Sequence, residues 1–358
     1  AGKLHLGGRE HDLTVGVSST RTTSKSDAFA SMSNWRHDIA NVHTWDGTAP
    51  KPAVSKTGAR NDTLVQQTGL YASARWRLTE PLSLLTGARV TRWTSKQKNY
   101  DTRGALSGVS ARQEVKHKVS PYLGVVYDIT PSLAAYASHT RIFNPQNHRD
   151  VNNVPLKPAV GSNSEVGLKM ALAHELDLNL AIFETKQDNF AVVNADAAPN
   201  SLPDGSTPYR TVDGTKGKGF DVELIGKVQP DWNLKAALTR AKVTRQESDK
   251  LWANFPTWQL QLGSDYRFSG ELRPLQLGGF LTWQSKLEAY NVPSPSGRVY
   301  VTERSKPLLD LYASWDFTEA YRLTLAVTNA LDKKYWANLD YANYGQPRFF
   351  SATFRMAF

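Results

Sequence analysis

Apolar residues recur at every second position over long stretches of the chain, the period of a β-strand with one apolar face. The C-terminal segment carries the pattern openly, with Phe350, Ala352, Phe354, Met356 and Phe358 spaced by Ser351, Thr353 and Arg355. Leu70, Ala72, Ala74, Trp76 and Leu78 alternate with Tyr71, Ser73, Arg75 and Arg77. The same reading holds for Leu176, Leu178, Leu180 and Ile182, for Phe220, Val222 and Leu224, for Trp258, Leu260, Leu262, Tyr266 and Phe268, and for Leu309, Leu311, Ala313, Trp315 and Phe317. About fourteen such segments are present, and nothing of comparable strength repeats at helical spacing. The predicted fold class is all-β.

The connections between segments alternate in length. Tight turns rich in Pro, Asp and Asn fall at 79–82, 128–132, 173–175, 229–233, 269–274 and 318–320. Long polar connections are expected between them, at 19–63, 99–113, 143–163, 194–209, 247–256, 288–302 and 330–346. Short turns at one end and long loops at the other are the layout of a transmembrane antiparallel β-barrel of the outer-membrane kind. A β-sandwich also alternates apolar and polar residues, but nothing would confine its long loops to alternate connections.

Side-chain placement sharpens the choice. Trp76, Tyr266, Phe268, Trp315, Phe317 and Tyr321 lie on the apolar face beside short turns, and Trp258 and Trp283 lie near long loops. The strand from Trp258 to Tyr266 covers roughly 27 Å, which a tilt of about 40° projects to roughly 20 Å along a membrane normal, close to the spacing of two aromatic girdles. The opposite face carries Arg75, Arg77, Asp221, Glu223, Asp265, Arg267, Asp316 and Arg322. A dry core would not accept these charges unpaired, whereas a wide lumen holding water or a plug would.

Composition fits this reading. Hydrophobic residues make up 40% of the 358 positions, yet the longest unbroken apolar run is Leu133–Ala137, too short for a membrane-spanning helix. The 43 Lys and Arg residues against 33 Asp and Glu give a net charge of +10, compatible with an anionic partner such as lipopolysaccharide or an acidic ligand, and equally with solubility alone. The absence of cysteine removes disulfide scaffolds, thiolate zinc sites and thiol catalysis.

The C-terminal run from Leu323 through Asn329-Ala-Leu-Asp-Lys-Lys-Tyr335-Trp336, then Tyr344-Gly345-Gln346-Pro347-Arg348 and a terminal strand ending in Phe358, resembles the C-terminal end of TonB-dependent outer-membrane receptors. More narrowly, Gly8-Arg9-Glu10-His11-Asp12-Leu13, Trp45-Asp46-Gly47, Ala135 through Gln146, Leu156-Lys157-Pro158 and Glu165-Val166-Gly167-Leu168-Lys169 resemble the ferric-siderophore branch of hydroxamate and pyoverdine type. The resemblance implies a barrel of about 22 strands around an N-terminal plug. With about fourteen strands in hand, residues 1–358 are expected to be the C-terminal part of such a barrel, with the plug and first strands outside this chain. A complete 14-stranded barrel is the alternative.

The resemblance further implies cell-surface binding of a ferric siderophore and TonB-dependent, energy-coupled import by a monomer in the bacterial outer membrane. The TonB–ExbB–ExbD complex would be contacted through an N-terminal region, and outer-membrane lipid and lipopolysaccharide would surround the barrel. No enzyme activity, protein-bound cofactor or metal site, or nucleic-acid partner is expected, because the siderophore itself supplies the iron ligands. Two other functions stay open: a passive 14-stranded porin and an outer-membrane hydrolase.

The residues offer little competing chemistry. No His pair has the spacing of a helical zinc site, and the loop set of His37, Asp38, His43 and Asp46 reads more simply as solvated side chains. The run Lys216-Gly217-Lys218-Gly219 lacks the spacing of a phosphate loop and reads as the start of a strand. A bulky chelate needs aromatic walls and a few donors. The candidates are Trp35, Trp45, Trp93, Tyr100, Trp252, Tyr290, Tyr341 and Tyr344 in or beside long loops, with Arg141 and Arg304 to pair with an anionic chelate.

Overall fold

The computed structural model describes residues 1–30, 54–109, 113–172, 175–203, 205–244, 255–294, 297–339 and 343–357. Chain order begins with β1 (Gly2–Leu6), β2 (Arg9–Phe29), β3 (Lys56–Arg77), β4 (Leu82–Tyr100), β5 (Leu106–Val109), β6 (Gln113–Thr130) and β7 (Leu133–Asn144). It continues with β8 (Ala159–Leu172), β9 (Leu176–Asp188), β10 (Phe190–Val193), β11 (Tyr209–Val212), β12 (Thr215–Gln229), β13 (Trp232–Thr244) and β14 (Trp258–Arg267). A 3₁₀ turn at Gly270–Leu272 precedes β15 (Leu275–Gln284), β16 (Leu287–Ser294), β17 (Gly297–Glu303) and β18 (Lys306–Asp316). The last strands are β19 (Tyr321–Thr328), β20 (Trp336–Asn338), β21 (Asn343–Tyr344) and β22 (Phe349–Met356).

One antiparallel sheet dominates, in the order β1-β2-β3-β4-β6-β7-β8-β9-β12-β13-β14-β15-β18-β19-β22, with β5 paired to β4. The expected wall strands are all on this path, together with the short β1. Three small hairpins, β10–β11, β16–β17 and β20–β21, stand apart from the sheet, each inside a long connection. All long connections leave the same end of the sheet, as the alternation of loop lengths predicts.

Register gathers the apolar residues into rows. Across β7, β8, β9, β12 and β13 one row runs Ala135, Leu168, Leu180, Val222, Leu238, and the row two residues nearer the loops begins Ala137, Val166, Ile182, Phe220. These side chains are open rather than buried: Ile182 is 65% exposed, Val17 71% and Phe350 72%. A continuous exposed apolar surface of this extent marks a face that meets lipid. Aromatic rings collect at its short-turn edge, where Tyr266 packs edge-on against Phe268 and Tyr321 stacks on Phe354.

The opposite face satisfies its polar groups across strands. Arg267 and Arg322 both pair with Asp316, Thr239 donates to Asp221 at 2.6 Å, and Asn233 and Gln276 donate to Asp265 at 2.9 and 2.8 Å. Tyrosines on this face lie flat over glycines of the next strand. A Cβ at Gly278 would meet the Tyr312 ring at 2.4 Å, and one at Gly16 would meet Tyr71 at 2.4 Å. Only a residue without a side chain lets the rings cover the backbone so closely.

The structure corrects the extent of the long connections. The expected loop 19–63 is in large part strand: β2 continues to Phe29 and β3 begins at Lys56, with Ser18 opposite Gly69 and Asp27 opposite Arg60. Beyond the lipid both faces of a strand meet water, so the alternation that reveals a strand disappears while the backbone ladder continues. The expected loops 99–113, 143–163, 288–302 and 330–346 likewise give way in part to strand, at β5, at the start of β8 and in the hairpins β16–β17 and β20–β21, whereas the expected loop 194–209 is the connection between β10 and β11.

Candidate functional site

The buried side chains of the described residues concentrate toward the long-loop end. Trp93 on β4 is 5% exposed and sits on the inward register between buried Thr91 and Ser95. Its neighbours on that face are Gln67 and Val115. Two packed units flank this level.

The first unit ties the β7–β8 connection to the β10–β11 hairpin. Gln146 donates from Nε2 to the carbonyls of Lys157 and Asn189, joining two connections that are distant in sequence. Arg149 donates to Asn153 at 2.7 Å and to Ser206 at 3.1 Å, and its carbonyl accepts the Tyr209 N–H. His148 stacks on Tyr209 with ring centroids 3.9 Å apart. That partial burial lowers the imidazole pKa, since desolvation disfavours its charged form. Leu202, Pro208 and Val212 are buried beneath.

The second unit joins the last two connections. Leu287 and Leu339 are buried together with Val301 and Trp336 packed against them, and Tyr344 stacks on Trp336 at 4.4 Å. Lys306 is buried at its base: Nζ donates to Glu303 at 3.1 Å and to the Trp336 carbonyl at 3.2 Å, and lies 4.5 Å from the Tyr335 ring centroid. Gly345 passes so close to Tyr335 that a Cβ there would fall 2.0 Å from the ring. On the adjacent β16–β17 hairpin, the Lys286 ammonium holds the Glu288 carboxyl below the usual carboxylate range, with Tyr300 adding a second hydrogen bond. Tyr344, Arg304, Lys333 and Lys334 are exposed around this unit, giving it an aromatic surface with cationic neighbours.

The sequence-predicted residues divide accordingly. Tyr344 and Arg304 lie at the second unit and Trp93 at the inward wall beneath the loops. Tyr290 is on β16, with its side chain outside the described part. Tyr100 pairs in register with Arg60, whose guanidinium sits 4.3 Å over its ring, and belongs to the face opposite Trp93. Arg141 is exposed on β7 in the outward register of Ala135 and Ala137. Trp35, Trp45, Trp252 and Tyr341 lie outside the described residues, as do His37, Asp38, His43 and Asp46. Among the described residues no group of three or more His, Cys, Asp or Glu side chains is placed to hold a metal ion. Sequence reasoning missed His148, Tyr209, Lys306 and Trp336 as site-forming residues; only the run ending Lys333-Lys-Tyr335-Trp336 drew attention, as part of a family pattern.

A sheet with a lipid-facing apolar surface, a polar inner face and all its long loops at one end defines a transmembrane β-barrel wall of the receptor kind. Residues 2–330 match the family model described as TonB dependent receptor-like, beta-barrel, and the chain belongs to that family. It is similar over its full length, at 32% identity, to a ferric-pyoverdine 358 receptor of Pseudomonas putida, covering 43% of that protein. A ferripyoverdine receptor of Pseudomonas aeruginosa is 32% identical over 97% of the chain and is covered to 42%. The crystal structure of the P. aeruginosa ferripyoverdine receptor bound to ferripyoverdine superimposes with a TM-score of 0.83 at 29% identity, covering 99% of this chain and 47% of that one. The chain thus spans less than half the length of these relatives.

Proposed function

We propose that the protein carrying this chain is an outer-membrane receptor that binds a ferric siderophore of the pyoverdine class at the long-loop end and imports it with energy supplied through TonB, ExbB and ExbD. The observation that carries this reading is similarity along the whole chain to ferric-pyoverdine receptors, combined with an aromatic and cationic surface at the long-loop end. The ligand would sit against Trp93, Tyr344 and the loop aromatics Trp35, Trp45, Trp252, Tyr290 and Tyr341, with Arg304 drawing its negative charge.

Iron is cargo here, held by the siderophore's own oxygen ligands, so the protein needs shape and charge rather than metal ligands. No bond is made or broken, and the protein works as a monomeric transporter without a cofactor. TonB would act on a part of the protein other than this barrel wall. The test is uptake of radioactive iron carried by a panel of siderophores in iron-starved cells, with and without the receptor. Receptor-dependent entry of at least one ferric pyoverdine, abolished by a protonophore, is expected. Entry that continues without the proton-motive force, with steady ion conductance of the purified protein in planar bilayers, would overturn the reading in favour of a passive channel.

A further inference from the structure

The inward face of β2, β3, β4 and β6 carries an irregularity directly beneath Trp93. From Thr91 to Trp93 the ladder advances two residues on β4, while β6 advances three, from Lys118 to Val115. The extra residue makes a β-bulge, and His117 within it holds a left-handed φ of 51°, uncommon for a residue with a side chain. Continued without the bulge, the upper register would put His117 opposite Thr91. The bulge puts Lys118 there instead, so the row reads Ser18, Gly69, Thr91, Lys118, and the next row down sets Arg89 beside Ser120. Bulges re-aim side chains in this way, and non-glycine residues held at positive φ gather at binding sites.

Arg89 is held in place yet incompletely used. Its guanidinium lies flat over Gly69, where a Cβ would fall 2.3 Å from Nη2. Nε donates to Thr91 Oγ1 at 3.2 Å and Nη2 to Ser18 Oγ at 2.6 Å, while Nη1 has no partner among the described residues. Lys118 has neither a hydrogen bond nor an ion pair among them. Strand spacing of about 4.8 Å and a two-residue rise of about 6.6 Å put the two Cα atoms roughly 8 Å apart, within reach of one shared anion. From the row of Trp93 down to the row of Gly87 and Tyr122, these four strands bring no carboxylate to the inward face. Near the short turns the same face neutralises its cations, with Arg77 paired to Asp12, and Arg267 and Arg322 to Asp316.

The pair also stands at the level of the membrane surface. On the opposite, lipid-facing register the apolar residues end at Val90 and Val119, next to Arg89 and Lys118, and Arg92 and Lys116 follow toward the long loops. Two neighbouring cations without a counter-ion attract an anion, and a guanidinium already fixed by two hydroxyls loses little freedom when it pairs. We propose that Arg89 and Lys118 form an anion subsite on the inner wall, which takes a carboxylate that the ferric chelate carries outside its iron coordination sphere. The inference rests on the siderophore reading above. It gives charge recognition to the inner wall, whereas Arg141, expected from the sequence to serve that role, is on the outward register.

The test uses the full-length receptor, purified in detergent and titrated with a ferric pyoverdine that carries one free side-arm carboxylate, and with the same chelate after that carboxylate is converted to its primary amide. Wild type is expected to bind the acid form about tenfold or more tightly than the amide, and added salt should narrow the gap. In R89Q/K118Q the two forms should bind within about twofold of each other, at the wild-type affinity for the amide. Arg89→Lys, which keeps the charge and loses the planar fork, should fall between. Lys118 has no described partner to lose, so K118Q alone, weakening the acid form by about threefold or more and leaving the amide unchanged, decides the matter if the double variant fails to assemble. K96Q, changed on the outward face of β4, should match wild type. Equal affinity of wild type for acid and amide would overturn the proposal. So would an equal loss of both forms in R89Q/K118Q, which would mark a pair that holds another part of the receptor in place. Binding of no ferric pyoverdine at all would overturn the receptor reading and the subsite with it, whereas indifference of wild type to the amide overturns the subsite alone.

Discussion

The two halves of the wall meet the water above the membrane in different ways. Strands β2, β3 and β4 run 21, 22 and 19 residues, whereas β14, β15 and β18 run 10, 10 and 11, and β19 and β22 only 8 each. A strand needs about 9–11 residues to cross the hydrocarbon. The first half thus carries a polar ladder well past the lipid, and its backbone groups stay paired strand to strand. The second half stops near the membrane surface and hands the chain to packed hairpins built on Leu287, Lys306, Trp336 and Tyr344. Both solutions satisfy the backbone, and the second ends in an exposed aromatic ring, Tyr344, with buried support beneath it.

The largest test of that difference lies within the first half. Val15→Arg, in the apolar band opposite Ala72, is expected to cost about 2–4 kcal/mol in urea unfolding from lipid vesicles, whereas Thr23→Arg on the same face of the same strand should cost less than about 1 kcal/mol. Equal costs would place the whole ladder in lipid and erase the distinction between the halves. Next in size is Lys306→Met, which strands Glu303 without its partner in a nearly closed site. About 2–3 kcal/mol of local stability should be lost from residues 285–305, read as faster proteolysis there while melting of the wall is unchanged.

A smaller effect follows from His148. Its folded pKa lies below the unfolded value, so the unfolded or detached loop takes up a proton more readily than the packed one. The stacking contribution is fully present above about pH 6.5 and is lost as pH falls toward the folded pKa. With the intrinsic pH dependence of amide exchange divided out, the protection factors of residues 145–158 and 205–212 should fall on acidification, and His148→Phe should remove that dependence.

The lipid-facing rows were legible in the sequence because lipid imposes a strict period of two, and Trp76, Tyr266 and Trp315 fell on the expected face for the same reason. Turns were legible because Pro, Asp and Asn mark them. The polar ladder of 18–27 against 60–69 was hidden: water on both sides removes the alternation, and threonine, serine and lysine fit strand and loop alike. At the site, exposed Tyr344 could be named from its place in a loop, but the support of Lys306 by Glu303 and the Trp336 carbonyl joins residues 3 and 30 positions apart. Nothing local in the chain announces such a pairing. The outward register of Arg141 follows from Ala137 and Ala135, two and three alternating steps earlier on the same strand, but the pairing expected of it rests on its charge and not on its face.

Site and orientation can be read together because the chain contains no cysteine, so each introduced thiol is unique within it. Tyr344→Cys and Glu175→Cys would be exposed to a membrane-impermeant maleimide on intact cells, with and without ferric pyoverdine. Labelling at position 344, protected by the ferric siderophore, with position 175 labelled only after the outer membrane is opened, is the expected result. Labelling at 175 from outside, or labelling at 344 that the siderophore leaves unchanged while it still enters the cell, would contradict binding at the long-loop end.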